Sequence, residues 1–238
     1  TNIRGTYTLL ESINSSPNKI ESIIIASSDK AYGSYPENKL PYKENYPLRA
    51  ENPYDVSKAC ADMISKTFSK RPFRLPILVT RFSNIYGPGQ LNFSALIPDC
   101  IKTALGYGKF IPRTNGEHYR DFLFIDDVVD LYLKMSKKVS ETNSLRGEVF
   151  NAGSNKPVNI KSLIFKIIKI VRGDKFFNEY KKTLSFPKST PDGEILMQQM
   201  DFNKVEKHFK WKPQIGLDQG IKISTEWYKS YLKKYDKK

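Results

Sequence analysis

Cysteine and histidine are scarce in this sequence, which has two of each among its 238 residues. Cys60 and Cys100 do not make the set of paired cysteines that a disulfide framework needs, and the histidines lack the spacing of metal ligands. We therefore expect free thiols in a reducing compartment, and no metal site. Long apolar runs are missing too: no stretch would span a bilayer, and the first residues do not resemble a signal peptide. These absences predict a cytoplasmic protein with no membrane partner.

Acidic residues are outnumbered, with 25 Asp and Glu against 39 Lys and Arg, which gives a formal net charge of +14. Nucleic-acid-binding proteins concentrate such charge in one module, together with aromatic residues. Here the lysines are spread along predicted helices and the C-terminal tail, so we expect no nucleic-acid partner. The positive field would still modestly favour anionic small molecules.

The most informative residues that are present follow a short apolar run at 23–26. This Ile-Ile-Ile-Ala run is too short for a helix and rich in β-branched residues, which predicts a central strand buried on both faces. Ser27, Ser28, Asp29 and Lys30 come directly after it. Open α/β sheets bind their ligands at the carboxyl ends of strands. The sequence therefore predicts a polar site at this point.

A second informative stretch begins at Pro53, a residue that favours the first turn of a helix. No Pro or Gly interrupts residues 54–68, so Tyr54 and Lys58 should share one helix face. A nearby ammonium favours the phenolate form of tyrosine, and the Ser28 hydroxyl could hold the phenolic oxygen in place. We predict that this phenolate takes a proton from a sugar alcohol while hydride leaves the same carbon for a nicotinamide.

Tyr-x-x-x-Lys also occurs by chance, and Tyr35 and Lys39 have the same spacing. Pro36 and Pro41 make that segment a predicted loop rather than a helix. The spacing alone therefore does not identify a catalytic pair, and it is the upstream Ser-Ser-Asp strand end that favours Tyr54 and Lys58.

With these residues in place, the chain resembles the extended short-chain dehydrogenase/reductase family of nucleotide-sugar epimerases and dehydratases. Ser28, Tyr54 and Lys58 match the family's Ser/Thr-Tyr-Lys triad. The resemblance spans nearly the whole chain. Further matching segments, in the family's order, are Asn2-Ile3-Arg4-Gly5-Thr6, Arg81-Phe82-Ser83-Asn84-Ile85-Tyr86-Gly87-Pro88, Arg120-Asp121-Phe122-Leu123-Phe124-Ile125-Asp126-Asp127, Phe150-Asn151-Ala152-Gly153 and Trp211-Lys212-Pro213.

The resemblance implies an α/β fold: an N-terminally truncated Rossmann-like doubly wound parallel sheet with a smaller α/β substrate domain. Residues 1–88 and 120–154 would form the partial NAD-binding domain with the catalytic residues. Residues 89–119 and 155–238 would form the nucleotide-sugar domain. The family commonly dimerises through the two helices predicted at 4–12 and 54–68, so we expect a homodimer.

The residue pattern further predicts strands at 76–82, 148–152 and 183–187, and a helix capped by Asp126.

The family seats the dinucleotide pyrophosphate on a Gly-x-x-Gly-x-x-Gly loop that follows a strand, and this chain has no such loop. The chain also opens without Met, inside a predicted helix. We therefore expect a truncated gene or a gene fragment, with a cofactor-free descendant as the alternative. NAD remains the cofactor that the resemblance implies, next to Ser27, Tyr54 and Lys58. Its binding should be weak if this polypeptide is all that exists.

Arg120 is the strongest candidate for an anionic ligand, because a guanidinium matches a diphosphate in bidentate geometry. By resemblance it contacts the nucleotide diphosphate, and the alternative is a structural ion pair with Asp121 or Asp126. Arg113 is a weaker candidate, whose alternative is a solvated loop charge. His118 has no neighbouring nucleophile and no metal-spaced partner, so we predict that it is incidental.

Two amides complete the predicted substrate site. Asn84 follows the strand predicted at 76–82, where its amide could bond a sugar or pyrophosphate oxygen, although such an Asn also bonds its own turn. Gln198 lies where many relatives carry an Arg for the nucleotide. This departure leaves the base unassigned.

The residues after Ser28 bear on the reaction. A 4,6-dehydratase needs an acid for the departing hydroxyl and a base for the C5 proton. The Asp29-Lys30 pair resembles that of CDP-glucose 4,6-dehydratases and of the inverting UDP-N-acetylglucosamine 4,6-dehydratases, so we predict dehydration, with Asp29 as the acid. Lys30 as the base requires a depressed pKa, and its alternative is an exposed loop lysine. The other hypotheses are a 4-epimerase or reductase of the same family, and a non-catalytic fragment that binds nucleotide sugars.

Overall fold

The structure is a computed structural model that describes residues 1–191 and 193–235. These residues form seven α-helices and seven β-strands. The helices are α1 (Asn2–Ser15), α2 (Pro53–Phe68), α3 (Leu96–Ala104), α4 (Ile125–Glu141), α5 (Ile160–Tyr180), α6 (Asn203–Phe209) and α7 (Leu217–Tyr235). The strands are β1 (Ile23–Ala26), β2 (Ile77–Phe82), β3 (Asn84–Tyr86), β4 (Tyr119–Arg120), β5 (Phe122–Phe124), β6 (Val149–Ala152) and β7 (Val158–Asn159).

The main sheet is parallel, with the strand order β1-β2-β6. All residues of β2 are buried, as expected for a strand with a neighbour on each side. The prediction that β1 is a central strand was wrong, because β1 lies at the edge of the described sheet. Only Ile23 of β1 is buried, and Ala26 is exposed, because no described strand pairs with its outer edge.

Alternate side chains of β2 point to opposite faces of the sheet, which each carry a layer of helices. Ile77 and Val79 pack with residues of α1 and α2, whereas Leu78 and Phe82 pack with residues of α4 and α6. The α/β sandwich predicted from the resemblance is therefore present around this sheet. It places the start of α2 and the carboxyl ends of β1 and β2 on the same side of the molecule.

A separate hydrophobic cluster joins α3, α5 and α7. Ile101, Ile164 and Ile221 are fully or almost fully buried in it. Two small sheets lie beside this cluster: β3 pairs with β5 in parallel, and β4 pairs with β7 antiparallel. The domain boundaries given above stay a prediction.

Two local predictions were wrong. Residues 183–187 are not a strand, because the amide of Thr183 closes a turn onto the carbonyl of Tyr180 at the end of α5. Asp126 does not cap α4, which begins one residue earlier at Ile125. Its neighbour Asp127 instead accepts hydrogen bonds from the Gln214 and Ile215 amides. Across the described residues, every helix falls short of the length or apolar character needed to cross a membrane.

Candidate active site

The carboxyl ends of β1 and β2 and the start of α2 enclose a cavity of about 320 Å³, which we call the first cavity. Strand ends provide side chains that are not used in the sheet, and the first turn of a helix directs its side chains toward them. The sequence-predicted residues that line the first cavity are Ser27, Ser28, Asp29, Lys30, Tyr54, Lys58 and Asn84.

Lys58 is hydrogen-bonded to the carboxyl end of β1. Its ammonium donates a hydrogen bond to the Ala26 carbonyl at 2.9 Å, and the Ser27 hydroxyl donates to the Lys58 carbonyl at 3.3 Å. Burial lowers the pKa of Lys58. These contacts fix the first two turns of α2 against the sheet, with Tyr54 half-exposed at the cavity.

The expected activation of Tyr54 by Lys58 is not found in this structure. The pKa of the Tyr54 phenol is raised, first by burial and then by the carboxylates of Asp29 and Asp55. The ammonium of Lys58 is directed at a backbone carbonyl, so the charges that act most on the phenol are negative. Tyr54 is therefore a neutral phenol here at neutral pH, and it can donate as well as accept a hydrogen bond.

Ser28 was expected to hold the phenolic oxygen, but its hydroxyl is directed elsewhere. It donates to the Asp29 carboxylate at 2.9 Å and accepts from the Lys30 amide at 3.2 Å. The second bond caps a short 3₁₀ helix, Asp29–Tyr32, which follows β1. Local capping geometry therefore decides where this hydroxyl points.

Asp29 is almost completely buried, with 3% of its surface exposed. Burial raises the pKa of its carboxyl to about 6, against the opposing effects of the Ser28 hydroxyl and the Lys30 and Arg120 charges. A carboxyl with such a pKa can hold a proton close to neutral pH and release it to a neighbour.

Asp29→Asn should stabilise the protein at pH 8 and have little effect at pH 4. Folding raises the pKa of the Asp29 carboxyl from 3.8 to about 6. The wild-type protein is therefore destabilised by the charged carboxylate as the pH rises from the first value through the second, whereas Asn stays neutral. We expect a gain of roughly 2–3 kcal/mol at pH 8 and well under about 1 kcal/mol at pH 4. Urea unfolding across this range measures it, with the exposed Asp130→Asn as a control. A gain that does not depend on pH would contradict the assigned pKa.

A second cavity of about 480 Å³ adjoins the first and shares Lys30, Asn84 and Ile85 with it. Lys30 is half-buried and lines both cavities, so it is not the exposed loop lysine of the alternative interpretation. Charged and polar side chains line the second cavity together with apolar residues of the cluster that joins α3, α5 and α7, among them Ile97 and Ile164. The charged or imidazole side chains are Lys30, Asp99, Arg113, His118, Arg120 and Glu194.

Arg120 lies in the wall of the second cavity and is 5% exposed. Its guanidinium forms an ion pair with Glu194 and donates to its neighbour's carbonyl, that of Tyr119, at 2.8 Å. Neither Asp121 nor Asp126 is its partner, as the structural alternative had supposed. The Asp121 carboxylate instead accepts backbone hydrogen bonds from residues 154, 155 and 200, which joins three segments behind the site.

Of the other predicted substrate residues, Asn84 and Arg113 line the second cavity and Gln198 does not. The Asn84 amide donates to the Asp121 carbonyl at 3.1 Å, and the Arg113 guanidinium donates to the Ser94 carbonyl at 3.1 Å. Both side chains line the second cavity. Gln198 lines neither of these cavities and is completely buried, so its contact with the substrate stays a prediction. Its backbone amide donates a hydrogen bond to the Tyr119 carbonyl at 3.1 Å.

Three charged or imidazole side chains of the second cavity were not among the predicted site residues: Asp99, His118 and Glu194. His118 is 7% exposed, and its Nδ1 has no hydrogen-bond partner among the described residues. Burial and then the Arg120 charge lower its pKa. Its position two residues before Arg120 in an extended segment was a usable signal, since such residues share a face. Glu194 was not identified from the sequence, because its ion pair with Arg120 depends on tertiary packing. Among residues 1–191 and 193–235, no cluster of metal ligands occurs.

Tyr54 and Lys58 in the first turns of α2 face the carboxyl edge of the parallel sheet, which is the arrangement implied by the resemblance to the extended short-chain dehydrogenase/reductase class. Within it, residues 1–224 match the family model described as GDP-mannose 4,6 dehydratase, and the chain belongs to this family. Relatives include dTDP-D-glucose 4,6-dehydratase of Homo sapiens, 27% identical over 96% of this chain and 61% of that protein. dTDP-glucose 4,6-dehydratase 1 of Escherichia coli K12 is 31% identical over 99% of this chain and 68% of that protein.

Solved structures agree in fold. A dTDP-glucose 4,6-dehydratase from Bacillus anthracis in complex with NAD has a TM-score of 0.83 and 30% identity, covering 98% of this chain and 69% of that one. A UDP-glucose 4-epimerase from Thermotoga maritima with UDP-glucose has a TM-score of 0.81 and 26% identity, over 98% of this chain and 70% of that one. The chain spans about three fifths of the human relative's length, 61%.

Proposed function

We propose that this chain carries the catalytic and substrate-binding residues of an NAD-dependent nucleotide-sugar 4,6-dehydratase, which forms a 4-keto-6-deoxyhexose nucleotide. The observation that carries the proposal is the position of Asp29 and Lys30. They lie in one turn directly after Ser28, and Lys30 lines both cavities where these meet. The curated relatives named above are dTDP-glucose 4,6-dehydratases, which supports the same reaction.

The first cavity suits the nicotinamide end of NAD. Ser27, Tyr54 and Lys58 supply hydroxyl, phenol and ammonium groups at the end of a parallel strand, a set able to bond a ribose. Bound NAD supplies reversible acceptance of a hydride from the sugar. The NAD in the Bacillus anthracis structure supports this choice of cofactor.

The chain's own residues would move three protons. Tyr54 takes the proton of the sugar 4-hydroxyl, for which its raised pKa must fall when the site is filled. Asp29, whose pKa of about 6 lets it carry a proton, protonates the departing 6-hydroxyl. Lys30 would take the C5 proton and give it back to C5 once C6 has received the hydride first taken from C4, so the sugar loses one water and no net hydride. Ser28 orients the Asp29 carboxyl through its hydrogen bond.

The second cavity would hold the rest of the substrate. Arg120 and Arg113 present guanidinium groups to it, and these suit the oxygens of a diphosphate. Asn84 lies where the two cavities meet and would contact the hexose or the neighbouring phosphate. We therefore propose a nucleoside-diphosphate hexose as the substrate.

The decisive experiment measures the mass of the products by mass spectrometry. The full-length gene product is incubated with NAD⁺ and CDP-, UDP-, GDP- and dTDP-hexoses, and loss of one water is expected for at least one of them. Lys30→Ala should reduce this loss by at least about a hundredfold, as expected for removal of a general base. Lys39→Ala is the matched control, because Lys39 also lies in a short 3₁₀ helix, Glu37–Lys39, but lines neither cavity.

An altered sugar of unchanged mass would instead favour a 4-epimerase, a function that the likeness to the Thermotoga maritima epimerase also supports. Full activity of Lys30→Ala would remove Lys30 from the mechanism. Binding of a nucleotide sugar with no turnover by the full-length protein would favour a non-catalytic binding function.

We further propose that the protein is a homodimer through α1 and α2. These helices pack side by side and leave Ile3, Tyr7, Val56 and Met63 exposed, with Met63 63% exposed. Light scattering on the purified protein should give twice the chain mass, and Met63→Lys should shift it to a monomer. Leu133→Lys on α4, at a residue 68% exposed, should leave the dimer intact. A wild-type monomer would refute the proposal.

A further inference from the structure

The ion pair between Arg120 and Glu194 lies in the wall of the second cavity, where the proposed function needs a free guanidinium. We propose that Glu194 occupies the place of an anionic ligand on Arg120, and that the substrate diphosphate binds by displacing this carboxylate. The inference rests on the proposed function, since it makes the diphosphate the displacing group. In this proposal, Glu194 competes with the substrate diphosphate for the Arg120 guanidinium.

Exposure decides which member of the pair can leave. The side chain of Arg120 is 7% exposed, whereas that of Glu194 is 34% exposed. A carboxylate at the solvent boundary regains hydration when it turns outward, while a buried guanidinium without a counter-ion pays a large desolvation penalty. Glu194 therefore leaves when an anion arrives, and Arg120 stays.

The backbone holds Glu194 in place on both sides, so its contact with Arg120 is built into the fold. The carbonyl of Gly193 accepts a hydrogen bond from the Asn52 side chain at 3.0 Å. The carbonyl of Leu196 accepts one from the Tyr119 amide at 2.8 Å, next to Arg120 itself. These bonds keep the carboxylate within reach of the guanidinium without fixing its side-chain torsions.

The charges of the second cavity agree with this role. Its cations are Lys30, Arg113 and Arg120, and its carboxylates are Asp99 and Glu194. Asp99 interacts with Arg113, which helps to offset the effect of burial on the Asp99 pKa. Glu194 thus supplies the counter-charge for the buried Arg120 when no ligand is bound. The same carboxylate weakens ligand affinity, since every bound anion must first break the ion pair.

Calorimetric titration with inorganic pyrophosphate tests this on the full-length protein without requiring turnover or knowledge of the base. Glu194→Gln should bind pyrophosphate roughly tenfold more tightly than the wild type, because a neutral amide competes less well for the guanidinium. Arg120→Gln should weaken binding, and Glu194→Gln added to it should give no gain. Glu226→Gln, which removes an exposed carboxylate paired with Lys229 on α7, is the matched control.

The outcomes separate the two proposals. If Arg120→Gln leaves pyrophosphate binding unchanged, the assignment of the diphosphate to Arg120 fails, and this inference fails with it. If Arg120→Gln weakens binding but Glu194→Gln gives no gain, only the displacement of Glu194 is refuted. Weaker binding by both Glu194→Gln and Glu194→Ala would make Glu194 a ligand contact rather than a competitor.

Discussion

Tyr54→Phe should lower the proposed 4,6-dehydratase turnover by about a thousandfold, within the range expected for loss of a general acid or base. The substitution removes one oxygen from a half-exposed side chain at the edge of the first cavity. We expect the free energy of unfolding to change by less than about 0.5 kcal/mol, as for other surface positions. Steady-state kinetics on a nucleotide sugar that the wild type converts, together with urea unfolding, measures both quantities.

Tyr35→Phe is the matched control. Tyr35 also precedes a lysine by four residues, but it lies outside both cavities, and its hydroxyl donates to the Pro47 carbonyl at 2.8 Å. Its removal should leave turnover unchanged within about twofold, since it is remote from the proposed chemistry. Equal loss in the two variants, or full activity of Tyr54→Phe, would show that the spacing at Tyr54 is as fortuitous as that at Tyr35.

The elements that present the site could be predicted from local sequence. The helix expected to start at Pro53 and end at Phe68 has these bounds in the structure, because a first-turn proline and an uninterrupted run define it locally. Strand β1 was predicted at its observed residues from four apolar side chains, although it was expected at the centre of the sheet. Local propensity and periodicity agree with the fold at these positions.

Contacts between distant residues could not be predicted in this way. Glu194 is 74 residues from Arg120, whereas the ion-pair partners expected from the sequence were the nearby Asp121 and Asp126. The raised pKa of Tyr54 likewise depends on burial and on the Asp29 carboxylate, which the fold brings near the phenol. A motif specifies which residue types occur at a site, whereas their partners and protonation depend on tertiary packing.

The helix that carries Tyr54 is anchored to the sheet by a buried ion pair. Asp62 of α2 accepts two hydrogen bonds from the Arg81 guanidinium of β2, at 2.7 and 3.0 Å. Asp62 is completely buried and Arg81 is 2% exposed. The same guanidinium donates to the Tyr32 hydroxyl at 2.9 Å, which in turn donates to the Asn151 amide oxygen at 2.7 Å. One network therefore joins α2, β2, β6 and the turn after β1.

Asp62→Ala should therefore lower the free energy of unfolding by about 3–5 kcal/mol, because it leaves the Arg81 charge buried without its partner. Urea unfolding measures the loss. Asp130→Ala is the control, since it breaks an ion pair with Lys134 whose side chains are 51% and 44% exposed, and such a pair contributes at most about 1 kcal/mol. The double variant Asp62→Leu/Arg81→Met should recover most of the loss, because it removes both charges together. If Asp62→Ala costs no more than Asp130→Ala, the position of α2 depends on its apolar packing, and the ion pair is dispensable for holding Tyr54 at the first cavity.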